Sequence, residues 1–270
     1  MSAGDAGGER AARVTSSARS TPWLTPAGGL VYHLRALRFR RTLWAPFDQA
    51  LATWLDAWEP GSDSVLLVGP SAGYCLADRF VARFRDVVVL EPDPVARLML
   101  ARRLARLRVG RVRTRTDDLL VRGLLGPGQP GQDLCTLLEE DPTRAVLFCN
   151  LLGQVRFLLP DEAFDPWAEA FRSRVLPALA TRSWRSFHDR VSGAIAPALG
   201  AEETSACALD DDALIARFYG EPPVSRGTVE LVDHLTGALW PPSLVRRYFG
   251  WEVVPGRFHL IEGLGAAGVR

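Results

Sequence analysis

The sequence predicts a doubly wound α/β fold: a mostly parallel sheet with an antiparallel C-terminal hairpin and a helical segment ahead of it. Three observations carry this prediction. Short, wholly apolar runs (Val65–Val68, Val87–Leu90 and Ala145–Cys149) alternate with stretches of helical periodicity, the pattern of strands buried on both faces between crossover helices. The first run leads straight into Gly69-Pro70-Ser71-Ala72-Gly73, a turn in which glycine lets backbone bend sharply and approach a ligand. Near the end, Trp251–Val254, Pro255-Gly256 and Phe258–Ile261 spell strand, turn and strand.

Taken in order, residues 1–22 are Gly, Ala, Ser, Thr and Arg with little to bury, and a disordered tail is expected. Residues 23–60 form a helical segment: Leu43, Trp44, Phe47, Leu51, Trp54, Leu55 and Trp58 recur at three- and four-residue steps. Arg35, Arg38, Arg40 and Arg41 precede them as a solvated basic face. The main domain is expected over 61–265. Its first strand and glycine turn are followed by a predicted helix over 76–84, where apolar residues fall at 76, 77, 80, 81 and 84. Pro92-Asp93-Pro94 opens the next helix, through about Leu107. Val109–Thr116 reads as a third strand, Gly123–Gln132 as a Gly/Pro-rich loop, and Asp161–Leu179 as a helix. Ser183–Phe187 is a fifth strand, and an insertion over about 193–247 separates it from the terminal hairpin.

Composition narrows the function. Of 270 residues, 47% are hydrophobic and 23% charged, values that suit an ordinary buried core. The formal net charge of +1 disfavours a nucleic-acid binder. All 32 basic residues are arginine, which removes Schiff-base and P-loop lysine chemistry and, with the alanine and glycine content, suits a GC-rich bacterial genome. None of Cys75, Cys135, Cys149 and Cys207 forms a CxxC pair, so no metal site is expected. No run has the length of a membrane span and no secretory leader is visible, so a cytoplasmic location is expected.

In a parallel sheet, ligands bind beyond the carboxyl ends of the strands. Here those ends carry Gly69–Gly73, Glu91, Asp117 and Asp118, Asn150, and His188-Asp189. Glu91 lies about twenty residues after Gly69, where a dinucleotide fold places a ribose-binding acid. His188 is the candidate proton acceptor, with Asp189 or Asn150 to orient it or the substrate. Asp233-His234 repeats the pair further along the chain, while His33 and His259 read as structural.

With these residues in view, the chain resembles class I S-adenosylmethionine-dependent methyltransferases, with their Rossmann-like sheet, over about residues 60–265. The resemblance implies that Gly69, Pro70, Ser71 and Gly73 contact the methionine part of S-adenosylmethionine. It implies that Glu91, with Pro92 beside it, binds the ribose hydroxyls and that Asp117 or Asp118 meets the adenine. It also places Asn150 next to sulfonium and substrate. The family's turn is usually Gly-x-Gly-x-Gly preceded by an acid, whereas this chain has Ser71 in the middle and Val68 in front. Ser71 either crowds the cofactor or bonds its carboxylate. The fourth strand lacks Asn-Pro-Pro-Tyr, so the amino-group methyltransferases of DNA and glutamine are not implied. The expected acceptor is a small molecule.

Two rival readings stand beside this one. A degenerate, non-catalytic Rossmann-like protein would bind a nucleotide or a partner. A serine hydrolase would use the Gly69-x-Ser71-x-Gly73 elbow, with Asp189 and His234 or His259 completing a triad. Against the hydrolase, no His-Gly-Gly segment precedes the elbow, and the elbow falls on the first core strand.

Overall fold

The computed structural model describes residues 29–125, 133–199, 203–205, 208–220 and 231–268. The tail expected over 1–22 lies outside the described residues. Two helices lead, α1 (Gly29–Phe39) and α2 (Ala45–Asp56). The strands are β1 (Ser64–Val68), β2 (Asp86–Leu90), β3 (Arg111–Arg115), β4 (Ala145–Cys149), β5 (Trp184–Gly193), β6 (Glu203–Ser205), β7 (Leu231–Asp233), β8 (Arg246–Val254) and β9 (Arg257–Ala266). Between them lie α3 (Asp78–Val81), α4 (Pro94–Arg106), α5 (Arg122–Leu125), α6 (Leu134–Glu139), α7 (Val155–Leu158), α8 (Asp161–Ala170), α9 (Leu176–Leu179) and α10 (Asp211–Tyr219).

One mixed sheet runs β3-β2-β1-β4-β5-β9-β8-β6, with β7 pairing β5 off this path. The first five strands in this order are parallel, and β9 and β8 turn back antiparallel, as the terminal hairpin predicts. β1 and β4 are buried along their whole length, which is why their sequences are continuous apolar runs. β3 is an edge strand, and its Arg-rich sequence is mostly exposed.

The pleat divides the core into two layers. Val65, Leu67, Val87, Val89, Leu147 and Phe187 face a layer holding Trp44, Phe47, Leu51 and Leu55. Leu66, Val68, Val88, Leu90, Val146 and Phe148 face a second layer with Trp167 and Phe171. The helical segment is thus part of the first layer: Phe47 stacks on Trp251 at 4.9 Å, and the Trp44 indole donates to the Val253 carbonyl at 2.9 Å.

Two elements depart from the sequence reading. The helix predicted over 76–84 shrinks to the four residues of α3. Leu76, Phe80, Val81 and Phe84 are buried all the same, while the Arg103 guanidinium bonds the carbonyls of Gly73 and Leu76 and so holds an open turn between strand and helix. β5 does not stop at Phe187 but continues to Gly193, because β9 pairs along its length. In the loop expected over 123–132, residues 123–125 belong to α5, and 126–132 lie outside the described residues.

Candidate active site

The carboxyl ends of β1 and β4 and Phe187 of β5 meet in one cleft, lined by Tyr32, Gly69, Pro70, Ser71, Cys75, Leu76, Cys149, Asn150, Phe187 and Trp251. Gly69 closes β1 by donating to the Leu90 carbonyl at 2.8 Å. Its φ is +65°, and a Cβ there would lie 2.4 Å from the Cβ of Leu151. Only glycine lets the turn press against the loop after β4. Tyr32 brings α1 over the same cleft.

Glu91 lies just behind the lining. Its Oε2 accepts from the Ser71 N–H at 2.7 Å and its Oε1 from the Asp93 N–H at 3.0 Å. The carboxyl is 6% exposed. Burial pushes its pKa up to about 7, and the two backbone donors only partly oppose that. A carboxylate has about four acceptor positions, and each Glu91 oxygen takes one of these two backbone N–H groups.

The second half of the site is assembled around Asp189, which is fully buried. Asn150 clips it twice: the Asp189 N–H donates to Asn150 Oδ1 at 2.8 Å, and Asn150 Nδ2 donates to Asp189 Oδ2 at 3.1 Å. Gln154 Nε2 donates to the same oxygen. His259 Nδ1 lies 2.7 Å from Asp189 Oδ1. His234 Nδ1 lies 3.9 Å from Asp189 Oδ2 and 2.5 Å from the Gly153 carbonyl, while its Nε2 meets Ser192 Oγ at 3.0 Å. Gly153 is needed for this closeness, since a Cβ there would stand 2.6 Å from the Asp189 nitrogen. Burial would raise the Asp189 carboxyl, but His259, His234 and Asn150 outweigh it and hold the pKa at about 2. Burial lowers that of His234.

His188 is not brought to the cleft. Successive side chains of a strand point to opposite faces; Phe187 and Asp189 face the cleft side, so His188 faces away. Its ring is 0% exposed, stacked near Trp240 at 6.0 Å, with Nδ1 2.9 Å from Ser186 Oγ and Nε2 3.4 Å from Glu262. That is the position of a core histidine. Asp118 caps the turn after β3, accepting from the Val121 N–H at 2.9 Å, and Asp117 is exposed; neither lines the cleft. The Pro92 carbonyl receives the Arg97 guanidinium at 2.7 Å.

The sequence reading took His259 as structural and offered it to Asp189 only in the hydrolase triad. The signal for it is pairing: β9 lies against β5, and His259 stands opposite both Ser192 and the cleft residue Trp251. The absence of an expected metal site also did not anticipate that Asp189, His234 and His259 offer ligand-type atoms within 4.8 Å of one another.

Four non-glycine residues have left-handed backbone among those described, and two of them, Ser71 (φ 51°) and Asn150 (φ 60°), line the cleft. Leu235 (φ 57°), beside His234, is a third. Such residues hold strain of order 1–3 kcal/mol each, concentrated here around one site. Ser71→Gly should relieve part of it and raise stability in denaturant by up to about 1 kcal/mol. A destabilised variant would show that the Ser71 side chain carries a contact of its own.

No family model matches the chain, and no curated protein matches it. Among solved structures it is similar to YjhP from E. coli (11% identity, 62% of this chain, 52% of that one, TM-score 0.30). It is also similar to an O-methyltransferase family protein from Burkholderia thailandensis (13%, 88% and 60%, TM-score 0.39). A third is CalS10, an amino pentose methyltransferase from Micromonospora echinaspora (15%, 88% and 78%, TM-score 0.31). The chain spans only 52% and 60% of the length of the first two. The fold rests on the sheet itself. No helix among the described residues is long and apolar enough to cross a membrane. Parallel strands ordered 3-2-1-4-5, followed by an antiparallel hairpin and preceded by helices, make a Rossmann-like topology.

Proposed function

We propose that the chain is an S-adenosylmethionine-dependent methyltransferase acting on a small-molecule acceptor. The observation that carries this reading is the Glu91 carboxylate. It is buried at the end of β2, tied to the glycine turn through Ser71, and has acceptor capacity beyond the two backbone N–H groups it takes. Two vicinal ribose hydroxyls would supply further donors. Gly69, Pro70 and Ser71 would hold the amino-acid end, and Asn150 and Tyr32 would stand nearest the reacting centre. The bound cofactor supplies an electrophilic methyl group on sulfonium; the chain's share is positioning and proton removal.

Calorimetry with S-adenosylmethionine and S-adenosylhomocysteine tests this. Both should bind, and thermal stability should rise with ligand concentration. Hydroxyl donors favour the ionised carboxylate, so affinity should weaken as pH falls below about 7, by up to about tenfold per unit. No binding at millimolar ligand would overturn the proposal. That outcome would leave the non-catalytic reading, which the bonding of Glu91 to the chain's own N–H groups favours. The hydrolase reading is not carried forward. The glycine turn sits on the central first strand of this sheet order, and the hydrogen bonds of the four histidines go to residues other than Ser71.

A further inference from the structure

We infer that Asp189 and His259 form a catalytic dyad, in which His259 Nε2 takes the proton of a hydroxyl acceptor. The inference rests on the methyltransferase reading for its acceptor, but the dyad itself stands on geometry. Asp189 is fully buried, its carboxyl held by Asn150 and Gln154 and its backbone N–H by Asn150 again. With that carboxyl ionised, the short contact of 2.7 Å to His259 Nδ1 requires the proton to sit on Nδ1. The neutral ring therefore presents its lone pair at Nε2. His259 is the most accessible of the four histidines, its side chain 23% exposed against 5% or less for His33, His188 and His234. It also adjoins the cleft: its ring centroid is 5.8 Å from that of Trp251, and its partner Asp189 is held by Asn150.

This arrangement suits an O–H acceptor. A neutral amine can attack first and lose its proton afterwards, whereas a hydroxyl gains from a base already in place. The acceptor's oxygen lone pair forms the bond to the methyl carbon as the carbon–sulfur bond breaks, its electron pair going to sulfur. The hydroxyl proton passes to His259 Nε2, and Asp189 stabilises the imidazolium. Because the ring is partly exposed, the proton then leaves to water.

The same three side chains invite a divalent cation, and two distances argue against one. The 2.7 Å between His259 Nδ1 and Asp189 Oδ1 is a hydrogen bond, and a metal bound to both would occupy the position of its proton. His234 Nδ1 is 2.5 Å from the Gly153 carbonyl, so it donates there and has no lone pair to offer on that side.

Nitrogen-15 NMR of the histidine rings in the unliganded, wild-type protein reads the tautomer directly. His259 should be the Nδ1–H form, and diethylpyrocarbonate should acylate it at least about tenfold faster than the other three histidines. In Asp189→Asn the amide donates to Nδ1, the ring turns to the Nε2–H form, and acylation at Nε2 should fall about tenfold or more. An Nε2–H ring in the wild type would overturn the dyad, as would equal reactivity of all four histidines. Zn²⁺ or Mn²⁺ binding at micromolar concentration that is lost in His259→Ala would overturn it in favour of a metal site. None of these readouts needs the cofactor, so the dyad and the methyltransferase reading fail separately.

Discussion

Glu262→Ala should destabilise the fold by about 3–5 kcal/mol, the usual cost of removing one partner from a buried ion cluster. Glu262 lies on β9 and is 1% exposed. Its Oε1 is 3.2 Å from Arg246 Nε, 3.8 Å from Arg190 Nε and 3.1 Å from the Tyr248 hydroxyl. Its Oε2 is 3.4 Å from His188 Nε2. Arg246 and Arg190 are themselves 1% and 2% exposed. Truncating the acid removes the carboxylate that two buried guanidinium groups share. Among the described residues, Arg246 would keep the carbonyls of Pro241, Pro242 and Leu244, and Arg190 would keep Asp211, with Asp233 also acting on it. Domains of ordinary stability have about 5–15 kcal/mol in total, so the variant should unfold at a much lower denaturant concentration. Burial alone would raise the Glu262 carboxyl, but His188, Arg190 and Arg246 overcome it and hold its pKa below the usual value. Its contribution is therefore present above the pKa of an unfolded glutamate and lost as pH falls through the lower folded value. A loss under about 1 kcal/mol in Glu262→Ala would show that water replaces the acid at no cost.

The second large effect has the opposite sign for stability. Glu91→Gln should make the ligand-free protein more stable than wild type at about pH 8, by roughly 1–3 kcal/mol. The folded pKa of Glu91 is about 7 against the usual 4.5. Between those values the unfolded chain has given up its proton and the folded chain keeps it, so stability falls as pH rises, and above about 7 the whole penalty is present. Glutamine has no charge to bury, but its amide nitrogen cannot accept from the Ser71 or Asp93 N–H as the second carboxyl oxygen does, which offsets part of the gain. The advantage of the variant should therefore vanish or reverse below about pH 5. The same variant should bind S-adenosylmethionine about ten- to a hundred-fold more weakly, because a charged acceptor is worth about 1.5–3 kcal/mol. Equal stability of the two proteins at both pH values would mean that Glu91 is solvated in a way its burial does not suggest. A site that improves the fold when its key side chain is removed is one kept for binding.

The sheet was legible in the sequence wherever burial on both faces wrote an uninterrupted apolar run, as in β1, β2 and β4. Gly69 and Glu91 were legible because turn and acid sit at fixed places on those strands. His188 was misassigned because a strand end was treated as a point: the pleat sends Asp189 to the cleft and His188 to the core. His259 was legible only as a member of the rival hydrolase triad with Asp189, not as part of the methyltransferase site. Nothing near it in the chain names Asp189, 70 residues away, and only the antiparallel pairing of β9 with β5 joins them. His234 arrives the same way, through the pairing of β7 in the insertion with the far end of β5. Helical periodicity over 76–84 was real as burial but not as helix, since Arg103 from α4 takes up carbonyls that a helix would have used.

The bond from Trp44 to the Val253 carbonyl spans 209 residues. Synthesis makes the aromatic face of α2 first and the hairpin that covers it last. Until β8 emerges, Trp44, Phe47 and Trp54 lack the surface formed by Trp251 and Phe249. The nascent chain must therefore wait for the 209 residues between Trp44 and Val253 before this surface is covered, at the rate of roughly 5–20 residues per second at which ribosomes work. Such long-separation contacts also slow folding. The opening helices, though made first, are among the last elements able to reach their final place, and any chaperone that attends this protein has them to hold.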